Sequence, residues 1–189
     1  GHGGVVFGSE SSGGIKNVVV ENCYFKNTDR GLRIKTRRGR GNINSIDNVS
    51  FSNIIMDGVK TPFVVNMYYN MGPKGGHEEY VWTTKKLPVD ERTPQIGHLH
   101  FKNMECKGVC YAAGVFLGLP EANIKQIELE NVSFSYDKEA EAGFPVMIEH
   151  NFKLKRYGLY CFNVENVVTK NVSFDGVLSE QIINLKSED

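Results

Sequence analysis

The chain carries no excess charge of either sign: 22 lysines and arginines stand against 22 aspartates and glutamates in 189 residues. A zero balance argues against a nucleic-acid binder working through bulk electrostatics, while leaving room for a local basic patch. Long apolar runs are missing as well. Stretches such as Val18-Val19-Val20 are far too short to span a bilayer, so no membrane contact is expected. No leader is visible, because residue 1 already lies in motif-like sequence, and that says nothing about secretion. The four cysteines (Cys23, Cys106, Cys110 and Cys161) are too scattered for a zinc site, since Cys106 and Cys110 have no second pair. Buried free thiols are expected rather than a disulfide, and neither a metal nor a cofactor is expected. Helical periodicity is lacking too: no extended run repeats apolar residues at the spacing of a helix face without a glycine or asparagine inside it.

What is present is a repeat. Aligned on an asparagine, five segments read Val18-Val-Val-Glu-Asn22-Cys-Tyr-Phe25, Val49-Ser-Phe-Ser-Asn53-Ile-Ile-Met56, Leu99-His-Phe-Lys-Asn103-Met-Glu-Cys106, Ile127-Glu-Leu-Glu-Asn131-Val-Ser-Phe134 and Val167-Val-Thr-Lys-Asn171-Val-Ser-Phe174. Each opens with residues alternating in and out, the two-residue period of a strand. At the asparagine the phase slips, as it would in a strand turning a corner. Between these segments lies a second family of strands at Gly31–Lys35, Phe63–Met67, Gly114–Leu117, Pro145–Ile148 and Gln181–Leu185, with Gly58-Val59, Gly108-Val109 and Gly176-Val177 at turns. Recurrence at a few tens of residues, with β-branched and aromatic content, predicts a β-solenoid: an all-β, parallel β-helix. A β-sandwich also has recurrent strands, but gives no reason for asparagine to return at one register. Stacked coils do, because the side-chain amides can form a ladder. The chain reads as one domain over 1–189, with an inserted loop at about 70–95 that carries Pro73, Gly75, Gly76, His77, Trp82, Pro88 and Pro94.

Two motifs carry chemistry. The chain opens Gly1-His2-Gly3 and continues to Gly8-Ser9-Glu10; later comes Asn27-Thr-Asp-Arg-Gly31-Leu-Arg33-Ile-Lys35-Thr36. On a strand Arg33 and Lys35 share one face while Leu32 and Ile34 point inward. Two adjacent cations suit a carboxylate or phosphate, with Arg able to hold it bidentately. A solvated basic face, extended by Arg37, Arg38 and Arg40, is the competing reading.

Gly1-His2-Gly3 followed by Gly8-Ser9-Glu10, the Val-Glu-Asn-Cys strand at 20–23 and Arg33-Ile34-Lys35 closely resemble the polygalacturonase family of glycoside hydrolases. That family is marked in chain order by N-T-D, D-D, G-H-G and R-I-K signatures, of which this sequence holds the last two in order. The resemblance implies a right-handed parallel β-helix and inverting hydrolysis of α-1,4-galacturonan, with one carboxylic acid protonating the leaving oxygen and a carboxylate base activating water. It implies a catalytic-centre role for His2, a substrate-carboxylate grip for Arg33 and Lys35, and substrate contact from Tyr69, with Tyr68 a close competitor. R-I-K favours homogalacturonan over the rhamnose-containing backbone, and such a substrate favours a secreted or periplasmic location.

The N-T-D and D-D signatures do not precede G-H-G here. Asn27-Thr28-Asp29 spells N-T-D but follows G-H-G, so Asp29 reads as a turn residue leading into Arg30-Gly31. Glu78 and Glu79 lie in the insertion, and Asp137, Glu139 and Glu141 look like an exposed loop. His98 and His100 share a strand face without an evident third metal ligand, and His150 reads as strand-terminal. The expectation is therefore an N-terminally truncated β-helix, the C-terminal part of such an enzyme, inactive alone and prone to self-association through an uncapped first coil. A non-catalytic polyuronide-binding module, or a scaffold, is the alternative.

Overall fold

A computed structural model describes residues 1–41, 45–70 and 78–187. Twelve strands follow in chain order: β1 (Val5–Phe7), β2 (Ile15–Lys26), β3 (Arg30–Lys35), β4 (Ser45–Asp57), β5 (Thr61–Asn66), β6 (Gln95–Ile96), β7 (His98–Val109), β8 (Ala112–Leu117), β9 (Ile124–Tyr136), β10 (Tyr157–Phe162), β11 (Val164–Asp175) and β12 (Ile182–Leu185). The short strands form one parallel sheet in the order β1-β3-β5-β8-β10-β12; the long ones form a second in the order β11-β9-β7-β4-β2, with β6 on β4. The chain alternates between the two sheets, advancing one strand each time. That is a parallel β-helix, and parallel crossovers take the right-handed sense.

The asparagines explain why the long strands bend. Asn22, Asn53, Asn103, Asn131 and Asn171 all have φ between 52° and 57°, a left-handed conformation that asparagine tolerates better than other residues with a Cβ. One residue in that region breaks the alternation, so Phe51 and Ile54 both point into the core on either side of Asn53. Each amide then bonds to the coil before it: Asn53 Nδ2 donates to Asn22 Oδ1 at 3.4 Å, Asn103 to Asn53 at 3.2 Å, Asn131 to Asn103 at 3.0 Å and Asn171 to Asn131 at 2.9 Å. The ladder uses both halves of every interior amide. Gly58 marks the following corner at φ 66°, where a Cβ would meet Asn27 Oδ1 at 2.3 Å.

Inside, aromatic rings stack along the axis. Phe51 lies 5.3 Å from Phe101, Phe63 4.4 Å from Phe101, and Phe134 5.1 Å from Phe174. Cys106 and Cys161 are buried free thiols in this core. Inward residues of the end coils, such as Val18, Val20 and Phe174, are only half-buried because each packs against a coil on one side.

Four strands of the second family coincide with β3, β5, β8 and β12, with Met67 just past the end of β5 and Gln181 just before the start of β12. Pro145–Ile148 does not: that coil's place in the short-strand sheet is taken by β10, and Pro145–Ile148 instead runs through an irregular excursion between β9 and β10. Gly143 and Leu154 close its base with a reciprocal pair of backbone hydrogen bonds at 3.0 and 2.9 Å, making residues 143–154 a compact loop pinned at both ends. His150 therefore sits on this loop rather than at a strand end. In the insertion, residues 71–77, including Pro73, Gly75, Gly76 and His77, lie outside the described residues. The remainder carries one helical turn, α1 (Glu79–Trp82), and is anchored by a buried ion pair. Arg38 and Glu121 side chains are each 2% exposed, with Nε–Oε1 at 2.6 Å and Nη2–Oε2 at 2.9 Å. Arg38 also donates to the carbonyls of Tyr80 and Thr83 at 3.1 and 2.7 Å.

Candidate functional site

Register places the candidate residues. β3 lies between β1 and β5, with Arg33 opposite Val6 and Val64, and Lys35 opposite Asn66. Leu32 and Ile34 point into the core, so Arg33 and Lys35 project from the outer face of the short-strand sheet. Tyr69, just past β5, brings its ring beside both: Lys35 Nζ lies 4.8 Å and the Arg33 guanidinium carbon 5.8 Å from the ring centroid. Tyr68 is elsewhere. It is buried, donates to the Gly118 carbonyl at 3.0 Å, and turns its ring towards Arg38.

Electrostatically the pair is held under tension. Burial lowers the pKa of Arg33, and the neighbouring Arg30 lowers it further; burial and then the Arg33 charge lower that of Lys35. Arg33 Nε is buried without a hydrogen-bond partner. A carboxylate arriving here would satisfy a donor and relieve repulsion at once.

The excursion lies across this face, which nothing in the sequence pattern announced. Arg30 Nε donates to the Pro145 carbonyl at 3.1 Å and its Nη2 to the Phe144 carbonyl at 2.7 Å. Arg33 Nη2 donates to Met147 Sδ at 2.9 Å, and Asn66 Nδ2 to the Met147 carbonyl at 3.2 Å. Arg33 is consequently only 6% exposed, and Val64 and Val115 are buried although they point outward. Lys35 and Tyr69 remain half-exposed.

His2 belongs to the next column along the chain. The offset between β1 and β3 is the one that sets His2 beside Asp29, and the offset between β3 and β5 sets Asp29 beside Lys60. His2 Nδ1 lies 2.9 Å from Asp29 Oδ2, and Lys60 Nζ donates to Asp29 Oδ1 at 3.0 Å. The histidine is 86% exposed. The hydrogen bond from Lys60, aided by that from His2, lowers the Asp29 pKa against the opposing effect of burial. Asp29 is thus a linking carboxylate as well as a turn residue, and counting back one coil from it would have found His2. The other two histidine candidates each face a carboxylate on a neighbouring coil: His98 lies 3.2 Å from Asp47 and His100 3.2 Å from Glu128. Among the described residues no three potential metal ligands cluster.

Residues 1–89 match the family described as glycosyl hydrolases family 28. The chain is 27% identical over 143 residues to a polygalacturonase of Prunus persica, covering 74% of this chain and 33% of that protein. It is 28% identical over 137 residues to a probable polygalacturonase of Vitis vinifera, covering 72% and 25%. To an exopolygalacturonase of Arabidopsis thaliana it is 38% identical over 65 residues, covering 34% and 15%. The matched stretches thus span a third or less of the length of these relatives. No solved structure matches the chain.

Proposed function

We propose that this chain, whose residues 1–89 match glycosyl hydrolases family 28, supplies the uronate-holding part of a galacturonan hydrolase. Arg33 and Lys35 take the carboxylate of one galacturonate unit, Tyr69 lies against them at the same place, and His2 stands at the edge of the catalytic centre. The observation that carries this reading is the convergence of a buried and a half-buried cation on one half-exposed tyrosine ring, with a buried arginine N–H left unpaired.

Inverting hydrolysis needs a carboxylic acid and a carboxylate base roughly 6.5–9.5 Å apart. Asp29 does not supply the acid, because Lys60 holds it ionised. On this reading the chain by itself retains polygalacturonate in an affinity gel but releases no reducing ends from it. Reducing ends released in proportion to this chain would overturn the inactivity, and unretarded migration would overturn the binding.

A non-catalytic scaffold is the second reading, and the loop over Arg33 favours it, since a cation already paired with Met147 is less available to a ligand. The two readings part on whether any uronate binds.

A further inference from the structure

The 143–154 loop is held on the outer face of the short-strand sheet by contacts of unequal strength. Arg30 donates to the carbonyls of Phe144 and Pro145, Asn66 donates to the carbonyl of Met147, and Arg33 donates to the Met147 sulfur. Beyond Met147 the loop is loosely seated. Ile148, His150 and Phe152 line an open cavity of about 210 Å³ together with Leu117, Tyr160 and Phe162 of the sheet. Trp82 of α1 meets the loop there, edge-on to His150 with ring centres 4.7 Å apart. Side chains beside a void have fewer partners, so the contacts at Met147 weigh more in keeping the loop down.

That sulfur is set apart from the other methionine sulfurs. Met56, Met67 and Met104 are buried in the core, and Met71 lies outside the described residues. Met147 alone among the described methionines is half-buried, so an oxidant in solution reaches it first. A thioether is a weak acceptor, and Arg33 still carries a buried Nε–H without a partner. One oxygen added to the sulfur would be a stronger acceptor that reaches further out. The methionine side chain has three rotatable bonds, which let it turn that oxygen towards the guanidinium.

We infer that Met147 is an oxidation site, and that its sulfoxide locks the loop onto Arg33 and shuts the uronate site. The second half rests on the uronate-holding role proposed for Arg33 and Lys35. The oxidant is a hydroperoxide, such as hydrogen peroxide. A sulfur lone pair attacks one peroxide oxygen, and the S–O bond forms as the O–O bond breaks. The hydroxide that leaves takes the proton of the new S–OH group and departs as water, so sulfur gives up two electrons and the peroxide takes them. The sulfoxide oxygen then accepts from Nη2 and Nε of Arg33, in bonds strengthened by the charge of the cation. A more populated closed loop leaves fewer molecules open to a uronate, and the apparent affinity falls with that fraction. Enzymatic reduction of the sulfoxide reverses the change.

Limited treatment of the unaltered chain with hydrogen peroxide is expected to add one oxygen to the Met147 peptide, read by mass spectrometry, before the peptides carrying Met56, Met67 or Met104. In the oxidised chain the Gly143 and Leu154 amides, which close the loop, exchange with deuterium about tenfold more slowly, and calorimetry finds trigalacturonate bound about tenfold more weakly. Methionine sulfoxide reductases restore both values. Met147→Leu taken through the same treatment changes in neither, which sets aside oxidation of the half-buried Cys23 and Cys110. Three results overturn the proposal: oxidation of Met147 no sooner than of the buried methionines, loop exchange unchanged or faster afterwards, or trigalacturonate bound equally well before and after oxidation. Slower exchange in a chain that binds no trigalacturonate in either form would instead overturn the uronate reading and leave the lock standing.

Discussion

Arg33 donates a hydrogen bond to the sulfur of Met147 at 2.9 Å, across 114 residues of chain. A cation that family resemblance reserves for a substrate carboxylate is thus occupied by a weak, neutral acceptor. A thioether sulfur competes poorly with a carboxylate, because charge-assisted bonds are about twice as strong as neutral ones.

Removing that sulfur should help the ligand. If the loop must yield for a carboxylate to reach Arg33, the measured dissociation constant is the intrinsic one divided by the fraction of open molecules. Met147→Ala is expected to tighten binding of trigalacturonate several-fold by calorimetry. Weaker binding in that variant would mean that the loop forms part of the site instead of covering it.

The anchor of the insertion should be costly to cut. With both side chains 2% exposed, Glu121→Ala strands a guanidinium in the interior, and losing one partner of a buried pair costs about 3–5 kcal/mol. Chemical denaturation measures that loss. Because Arg38 also ties down the carbonyls of Tyr80 and Thr83, a red shift of Trp82 emission is expected before global unfolding.

The asparagine ladder separates two contributions at one position. Asn103→Gly keeps access to a positive φ and loses two exposed amide bonds, at about 0.5–1.5 kcal/mol each at most. Asn103→Ala loses the same bonds and adds a left-handed strain of about 1–2 kcal/mol. Thermal unfolding is therefore expected to rank wild type above Gly and Gly above Ala. Equal melting of the two variants would remove the strain from the account.

These cases mark what the residue pattern could and could not disclose. Asparagine at the corners was legible because its physical causes are local: an αL conformation and a neighbour one coil away. The facing of Arg33 and Lys35 was legible for the same reason, as strand alternation is a two-residue rule. His2 beside Asp29 was within reach, needing only the coil length. The loop over Arg33, the Arg38–Glu121 pair and the Trp82 pocket were not legible, because they join segments 83 residues or more apart, or irregular segments, in ways no period encodes. The apolar run at 145–148 imitated a strand because burial under a loop and burial in a sheet ask for the same side chains.

Binding should depend on pH through Lys35. Burial and the Arg33 charge place its pKa below the ordinary 10.5, so its charged form opposes folding at low pH and that cost lifts as pH rises through the lowered value. The ligand needs the charged form. Uronate affinity is expected to fall on the alkaline side before an ordinary lysine would titrate, and Lys35→Arg should move that limit upward. An affinity flat to pH 10.5 in the unaltered chain would exclude Lys35 from the site.

The most direct measurement is a calorimetric titration of trigalacturonate into the unaltered chain and into the Arg33→Ala, Lys35→Ala double variant, both checked for native circular dichroism. The account predicts saturable binding in the first and its loss in the second. Undiminished binding in the double variant, or none in the unaltered chain, would contradict it.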